Sequence, residues 1–200
     1  MMKRELVWRQ LCDAVLAGSA ESFHQRALAH ELGMSVGNVN LALAPLRAIG
    51  AVDVVGKRLV VRDVKKILLA WAANRERPVP LGLFAPGNSP EETLRVLPPG
   101  VALTSFAGYV VAFGDRPAPF SAIRGYVTPG DQATVAELGR RFAPTDDPAA
   151  ATITTYEADP VMAAALPAVV SPAQLYVDLW NEADFFASDY LRALETRFNL

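Results

Sequence analysis

Apolar and polar positions along this 200-residue chain recur in two different periods, and the changes between them predict where its elements lie. Over residues 3 to 17, Leu6, Leu11, Val15 and Leu16 join Trp8 at spacings that suit one side of a helix, which Gly18-Ser19 ends. Ser22 reads as the N-cap of a second helix reaching about Leu32, with Ala27, Leu28 and Leu32 inward. Gly33-Met34-Ser35 then supplies a tight turn and another N-cap, and Val36 to Ile49 carries Val39, Leu43 and Leu46 at helical spacing. A steep crossing of two short helices needs a turn residue that reaches the left-handed region, which suits Gly33. Pro45 lies inside the third helix and removes the amide that would bond to Leu41, so either a bend or an early stop is expected there.

After Gly50 the period shortens. Val52, Val54, Leu59 and Val61 alternate with Asp53, Arg58 and Arg62 around Gly56-Lys57, the pattern of a β-hairpin whose tip presents cations. Asp63 caps a further helix with Val64, Ile67, Leu68 and Trp71 inward and Lys65 and Lys66 outside. The order helix, helix, helix, hairpin, helix predicts a winged helix-turn-helix over residues 1–75. In that arrangement the third helix enters a major groove while the hairpin grips the adjacent backbone.

Arg75-Glu76-Arg77-Pro78-Val79-Pro80 breaks the helical pattern, and 76–82 is read as a linker. Residues 83–200 then predict a mixed α/β domain on a small sheet, so the chain as a whole is α+β. Strands are expected at Leu81 to Ala85, Ile123 to Val127 and Ala151 to Glu157. Helices are expected after Ser89-Pro90, after Thr104 or Ser105, from Gly130-Asp131 to Phe142, after Ser171-Pro172, and over Phe186 to Phe198.

Charge adds a division that the net of −2 hides. Residues 1–75 hold eleven basic and six acidic side chains, the remainder eight and fifteen. A basic module joined to an acidic one suits a polyanion binder tied to a domain that avoids nucleic acid or meets a basic partner. The 52% apolar content supports a packed core, and no apolar run is long enough to span a bilayer. With no signal-like stretch at the start, a cytoplasmic protein without membrane contact is expected.

Catalytic chemistry is thinly represented, and no enzyme activity or cofactor is expected. Cys12 is the one cysteine and reads as a small buried apolar residue. His24 and His30 are six apart on nearly opposite sides of one helix, and no other histidine follows, so no metal site is expected. Asp146-Asp147 and the Asp178 and Glu182 pair read as a solvated loop and a helix surface pair.

The candidate chemistry is therefore contact with double-stranded DNA. Ser35, Val36, Gly37, Asn38, Asn40 and Leu41 stand at the start of the third helix, where Asn can pair with an adenine edge and apolar groups can touch a thymine methyl. Arg47 is the first cation on that helix. Arg26, Lys57, Arg58, Arg62, Lys65 and Lys66 are the phosphate-contact candidates, which position a domain without reading sequence.

Three stretches carry a family resemblance. Gly33 to Asn40 with the hairpin, Val61-Arg62-Asp63 leading to Leu68-Leu69-Ala70-Trp71-Ala72, and Val170-Ser171-Pro172-Ala173-Gln174-Leu175-Tyr176-Val177-Asp178-Leu179 resemble the AbiEi-type antitoxins of type IV toxin-antitoxin systems. The last string is the most specific. After Asp178-Leu179 the chain departs from the family pattern, reading Trp180 to Phe186 where a Gly/Arg-containing turn is usual. The resemblance implies a DNA-binding repressor whose C-terminal domain opposes a nucleotidyltransferase toxin. The alternative is a stand-alone regulator, or an interaction module whose acidic domain binds a protein or small ligand. A homodimer is expected in the DNA-binding case, because paired half-sites call for a two-fold protein.

Overall fold

A computed structural model describes residues 3–19, 22–56, 58–76, 78–85 and 89–200. The protein is α+β, with ten helices and two sheets of three and five strands among the described residues. It divides into two compact units. The first comprises Met1–Glu76, Ser171–Val177 and Glu195–Leu200, and the second Arg77–Val170 and Asp178–Leu194. A contiguous boundary near residue 76 does not anticipate the return of the two C-terminal stretches to the first unit.

In unit 1 the order is α1 (Lys3–Leu16), β1 (Ser22–Phe23), α2 (Gln25–Glu31), α3 (Val36–Ala48), β2 (Val52–Val55), β3 (Arg58–Val61) and α4 (Val64–Asn74). Val7, Trp8, Leu11 and Cys12 of α1, Leu43 and Leu46 of α3, and Ile67, Leu68 and Trp71 of α4 are buried and form its core. Both tryptophans find polar partners there. Trp8 Nε1 donates to the Ala42 carbonyl at 2.7 Å, and Trp71 Nε1 to the buried Glu5 carboxylate at 3.2 Å. Burial also pushes the Cys12 thiol well above its ordinary range, which keeps it a neutral packing group.

Two local expectations, Ser22 as the cap of α2 and Ala27 as an inward position, are corrected. Ser22 does not cap α2: it is extended in β1, where Ser22 and Phe23 lie opposite Val60 and Leu59, making the sheet β1-β3-β2. The N-cap of α2 is His24, and the buried positions are Leu28 and Ala29, while Ala27 is exposed. The hairpin keeps its expected register, with Val55 opposite Arg58, but only Val52 and Leu59 are buried, and Val54 is 44% exposed. Pro45 does not stop α3. Ile49 donates to the Pro45 carbonyl at 3.3 Å, so helical bonding resumes past the ring. Leu41 and Pro45 are both exposed, where water can satisfy the carbonyl that the proline leaves without a donor.

The C-terminal stretch Ser171–Val177 contributes the start of α9 (Pro172–Trp180), whose Ser171-Pro172 entry the sequence predicts. Its Ala173 amide donates to Asp13 of α1 at 3.0 Å, satisfying one of the orphan donors of a helix start. Arg9 reaches Gln174 Oε1 at 3.4 Å, and Tyr176 donates to Glu195 at 2.8 Å. Burial raises the Asp13 carboxyl above its ordinary value, against the lowering effects of Ser171, the Ala173 amide and Arg9.

Unit 2 contains β4 (Gly82–Ala85), α5 (Pro90–Val96), β5 (Ala102–Thr104), α6 (Ser105–Phe113), β6 (Ile123–Val127), α7 (Gln132–Arg141), β7 (Ala143–Pro144), β8 (Ile153–Glu157) and α8 (Pro160–Ala163). It also takes Asp178–Leu194, with most of α10 (Ala187–Phe198). The sheet order is β5-β6-β8-β4-β7, with β6 and β8 parallel and the other pairs antiparallel. Ser89 and Glu92 form a reciprocal capping box at α5, and Asp131 caps α7 by accepting from the Thr134 amide at 3.0 Å. Phe106, Tyr109 and Tyr190 pack edge to face, and the Tyr190 hydroxyl donates to Ala118 O at 2.6 Å.

Candidate nucleic-acid interface

The turn between α2 and α3 closes on Gly33, whose φ of +60° lies in the left-handed region that glycine adopts without strain. Ser35 then caps α3, its hydroxyl accepting from the Asn38 amide at 3.2 Å. That bond uses one lone pair of the Ser35 hydroxyl and leaves its O–H free to donate, while Asn38 is half-buried. Five of the six predicted reading residues are exposed, Ser35 at the cap and Val36, Gly37, Asn40 and Leu41 on the helix, with Leu41 74% exposed. They fall on one face opposite the buried Val39, Ala42, Leu43 and Leu46. The α3 sequence holds no acidic residue.

Arg47 sits at the edge of that face. Its Nη2 donates to Asn40 Oδ1 at 3.3 Å, so it meets the reading residue instead of pointing freely outward. Because guanidinium has donors only, this bond orients the Asn40 amide.

The predicted phosphate contacts divide by what they already touch. Arg26 is exposed on α2. Arg58, at the start of β3, donates to Ser22 Oγ at 3.2 Å and to His24 Nε2 at 3.4 Å. β1 and the N-cap of α2 therefore brace the hairpin cation, and Ser22 and His24 join the candidate site for a reason the local pattern does not reveal. Arg62 pairs with Asp53 at 3.3 Å, Lys65 with Glu195 at 2.9 Å, and Lys66 lies 4.0 Å from Asp63. Each of these three cations has an acid beside it within its own unit, in pairs exposed enough to be weak and exchangeable. Lys57 lies outside the described residues. His30 is exposed, and no cluster of three metal-ligating side chains occurs among the described residues.

No family model matches the chain, and neither a curated protein nor a solved structure does. Unit 1 carries twelve basic and eight acidic side chains, net +4, and unit 2 seven and thirteen, net −6. The electrical division predicted along the chain thus persists when the C-terminal stretches are counted with unit 1. Among the described residues no helix is long and apolar enough to cross a membrane.

One polar cluster in unit 2 overturns an expectation. Asp178 and Glu182 are not a solvated helix pair. Thr104 Oγ1 donates to Asp178 at 2.7 Å, and the Tyr126 hydroxyl reaches the same carboxylate at 3.1 Å. Ser105 Oγ and Arg124 Nε both donate to Glu182 Oε1 at 2.7 Å, with the Glu182 side chain 9% exposed and that of Arg124 27%. Burial opposes the charge on Arg124, but the hydrogen bond and attraction of Glu182 outweigh it and hold the guanidinium above its ordinary value. Ser105 is fully buried with φ +56°, an uncommon conformation for a non-glycine residue. Thr104, at the N-cap of α6, directs its hydroxyl to Asp178 and makes no side-chain cap. The two carboxylates thereby sit where the positive end of the α6 dipole favours them.

Proposed function

We propose that unit 1 is a winged helix that binds double-stranded DNA, and that the protein is a transcriptional repressor acting through it. The observation that carries this reading is the exposed, acid-free face of α3. It follows the α2 turn directly and is succeeded by a hairpin whose Arg58 is braced by Ser22 and His24. Packing within unit 1 leaves that face uncovered, although Leu41 alone would favour burial. A groove-reading helix needs this exposure, and a backbone-gripping hairpin needs a held cation. The net charge of +4 on the unit favours a polyanion.

In this reading Val36, Gly37, Asn40 and Leu41 meet base edges, while Arg26, Arg58 and Lys57 meet phosphates. The protein works in the cytoplasm as a homodimer on paired half-sites. The AbiEi-like resemblance supplies the wider role: repression of its own operon, with the acidic unit 2 opposing a nucleotidyltransferase toxin. Gel-shift titration of the full chain against the DNA upstream of its own coding sequence tests the core of the proposal. Salt-sensitive binding that weakens in Asn40→Ala and Arg58→Ala is the expected result. Binding that is absent, or indifferent to both changes, overturns it. A nucleotidyltransferase encoded beside it, co-purifying with the chain, is the expected finding for the antitoxin role.

A second reading has its own support. Val36, Leu41, Val54 and Val55 are exposed apolar residues, and three cations of the unit are already paired with acids. Both facts suit a winged helix that contacts protein. It predicts a stoichiometric protein complex and no duplex binding near physiological salt.

A further inference from the structure

We propose that the exposed face of α3 reads thymine through its C5-methyl groups, so that the preferred duplex carries A·T pairs opposite Val36 and Leu41. This inference rests on the DNA-binding reading above and specifies what the same surface selects.

The face is unusual for a helix meeting DNA. Val36, Gly37, Leu41 and Ala44 are exposed on it, and Asn40 supplies its one amide. In the major groove only thymine offers an apolar group; guanine and cytosine present acceptors and an amino donor. An apolar side chain pressed on a G·C edge strips water from those groups and returns no hydrogen bond. Pressed on a thymine methyl, it buries apolar area on both sides. Leu41, 74% exposed, has the most to gain.

Gly37 is independent support. It lies in the first turn of α3, and a Cβ built there would meet only Ser35 Oγ, at 3.7 Å. Its backbone is not in the left-handed region, so neither turn geometry nor internal packing calls for glycine. Glycine nevertheless weakens a helix relative to alanine. Close approach of a partner to the helix backbone beside Val36 and Leu41 accounts for it, and a deep seat in a groove is such an approach. The lack of acid on α3, with exposed Arg26 and Arg58 in the same unit, makes a nucleic acid the better electrostatic match than a generic apolar protein surface.

Asn40 fits the same kind of base pair. Its Oδ1 accepts from Arg47 with one lone pair, leaving the second lone pair and both Nδ2 donors for the N6 and N7 edge of adenine.

The test uses the full chain. Duplexes with random cores are selected for binding, and the enriched sequence is remade with deoxyuridine for each thymidine, which deletes methyl groups and keeps every base-pairing and groove hydrogen bond. The expected result is an A·T-containing core whose affinity falls about fourfold for each methyl that is read, the equivalent of about 0.8 kcal/mol per buried carbon. Leu41→Ala, at an exposed position that leaves folding intact, should shrink the thymine-to-uracil difference. Equal binding of both duplexes overturns methyl reading while leaving DNA binding in place. Retention of no duplex removes the DNA-binding reading and this inference together, and assigns the apolar face to a protein partner.

Discussion

Arg47 Nη2 donates to Asn40 Oδ1 at 3.3 Å, two turns away along α3. The one cation of α3 thus holds the exposed Asn40 amide. Arg47→Met keeps the stem and removes the donors. We expect weaker binding to a selected duplex, with loss of adenine preference and an unchanged slope of log affinity against log salt. A slope reduced by about 0.9 would identify Arg47 as a phosphate contact instead.

Gly37 separates stability from binding. Replacing it with alanine has room on the fold, and should raise stability by about 0.5–1 kcal/mol in thermal or denaturant unfolding. The same change should weaken duplex binding by placing a methyl group between helix and groove. Unchanged affinity would remove close approach as the reason for this glycine.

Asp13 links pH to the stability of unit 1. Its carboxyl is raised from the ordinary 3.8, chiefly by burial, so the native state holds that proton more tightly than the unfolded chain. Stability from this group is therefore full below the ordinary value and falls as pH rises through the raised native value. Asp13→Asn keeps an acceptor for the Ala173 amide without the charge. Denaturant titrations from acid to neutral pH should show the variant gaining on the parent through that window, then running level. A parent that gains on the variant with rising pH would mean that Arg9 and the hydrogen bonds dominate.

The Arg124–Glu182 pair is expected to be strongly coupled. Removing one partner alone, as in Glu182→Gln or Arg124→Met, leaves the other partly buried and should cost about 3 kcal/mol. The double variant should cost clearly less than the sum. Additive losses in a double-mutant cycle would show that Ser105, Thr154 and Tyr156 hold each group independently.

Much of the local architecture is legible without coordinates, and the failures share a cause. The alternation of Val52 to Val61, the Asp63 cap and the Ser89-Pro90 entry depend on interactions a few residues long, and the elements they predict are present. Ser22 fails because a serine before an apolar residue reads equally as a cap or an edge strand. Two residues are too short a pattern to choose between them, and the pairing with Val60 and Leu59 decides it. The acid partners of the cations are hidden for a similar reason: the one beside Lys65 is Glu195, at the opposite end of the chain.

By itself, the sequence determines the periods and most of the caps and turns, the α+β class and the charge division, because each follows from neighbours on one helix, one hairpin or one composition count. Tertiary structure alone decides which of those residues remain exposed. It turns Val36, Gly37, Asn40 and Leu41 outward together, braces Arg58 on Ser22 and His24, and brings Thr104 to Asp178, 74 positions away. Local preference weighs a residue against its own few neighbours. Register, ion pairing and burial weigh it against groups that meet it only once the chain has closed on itself.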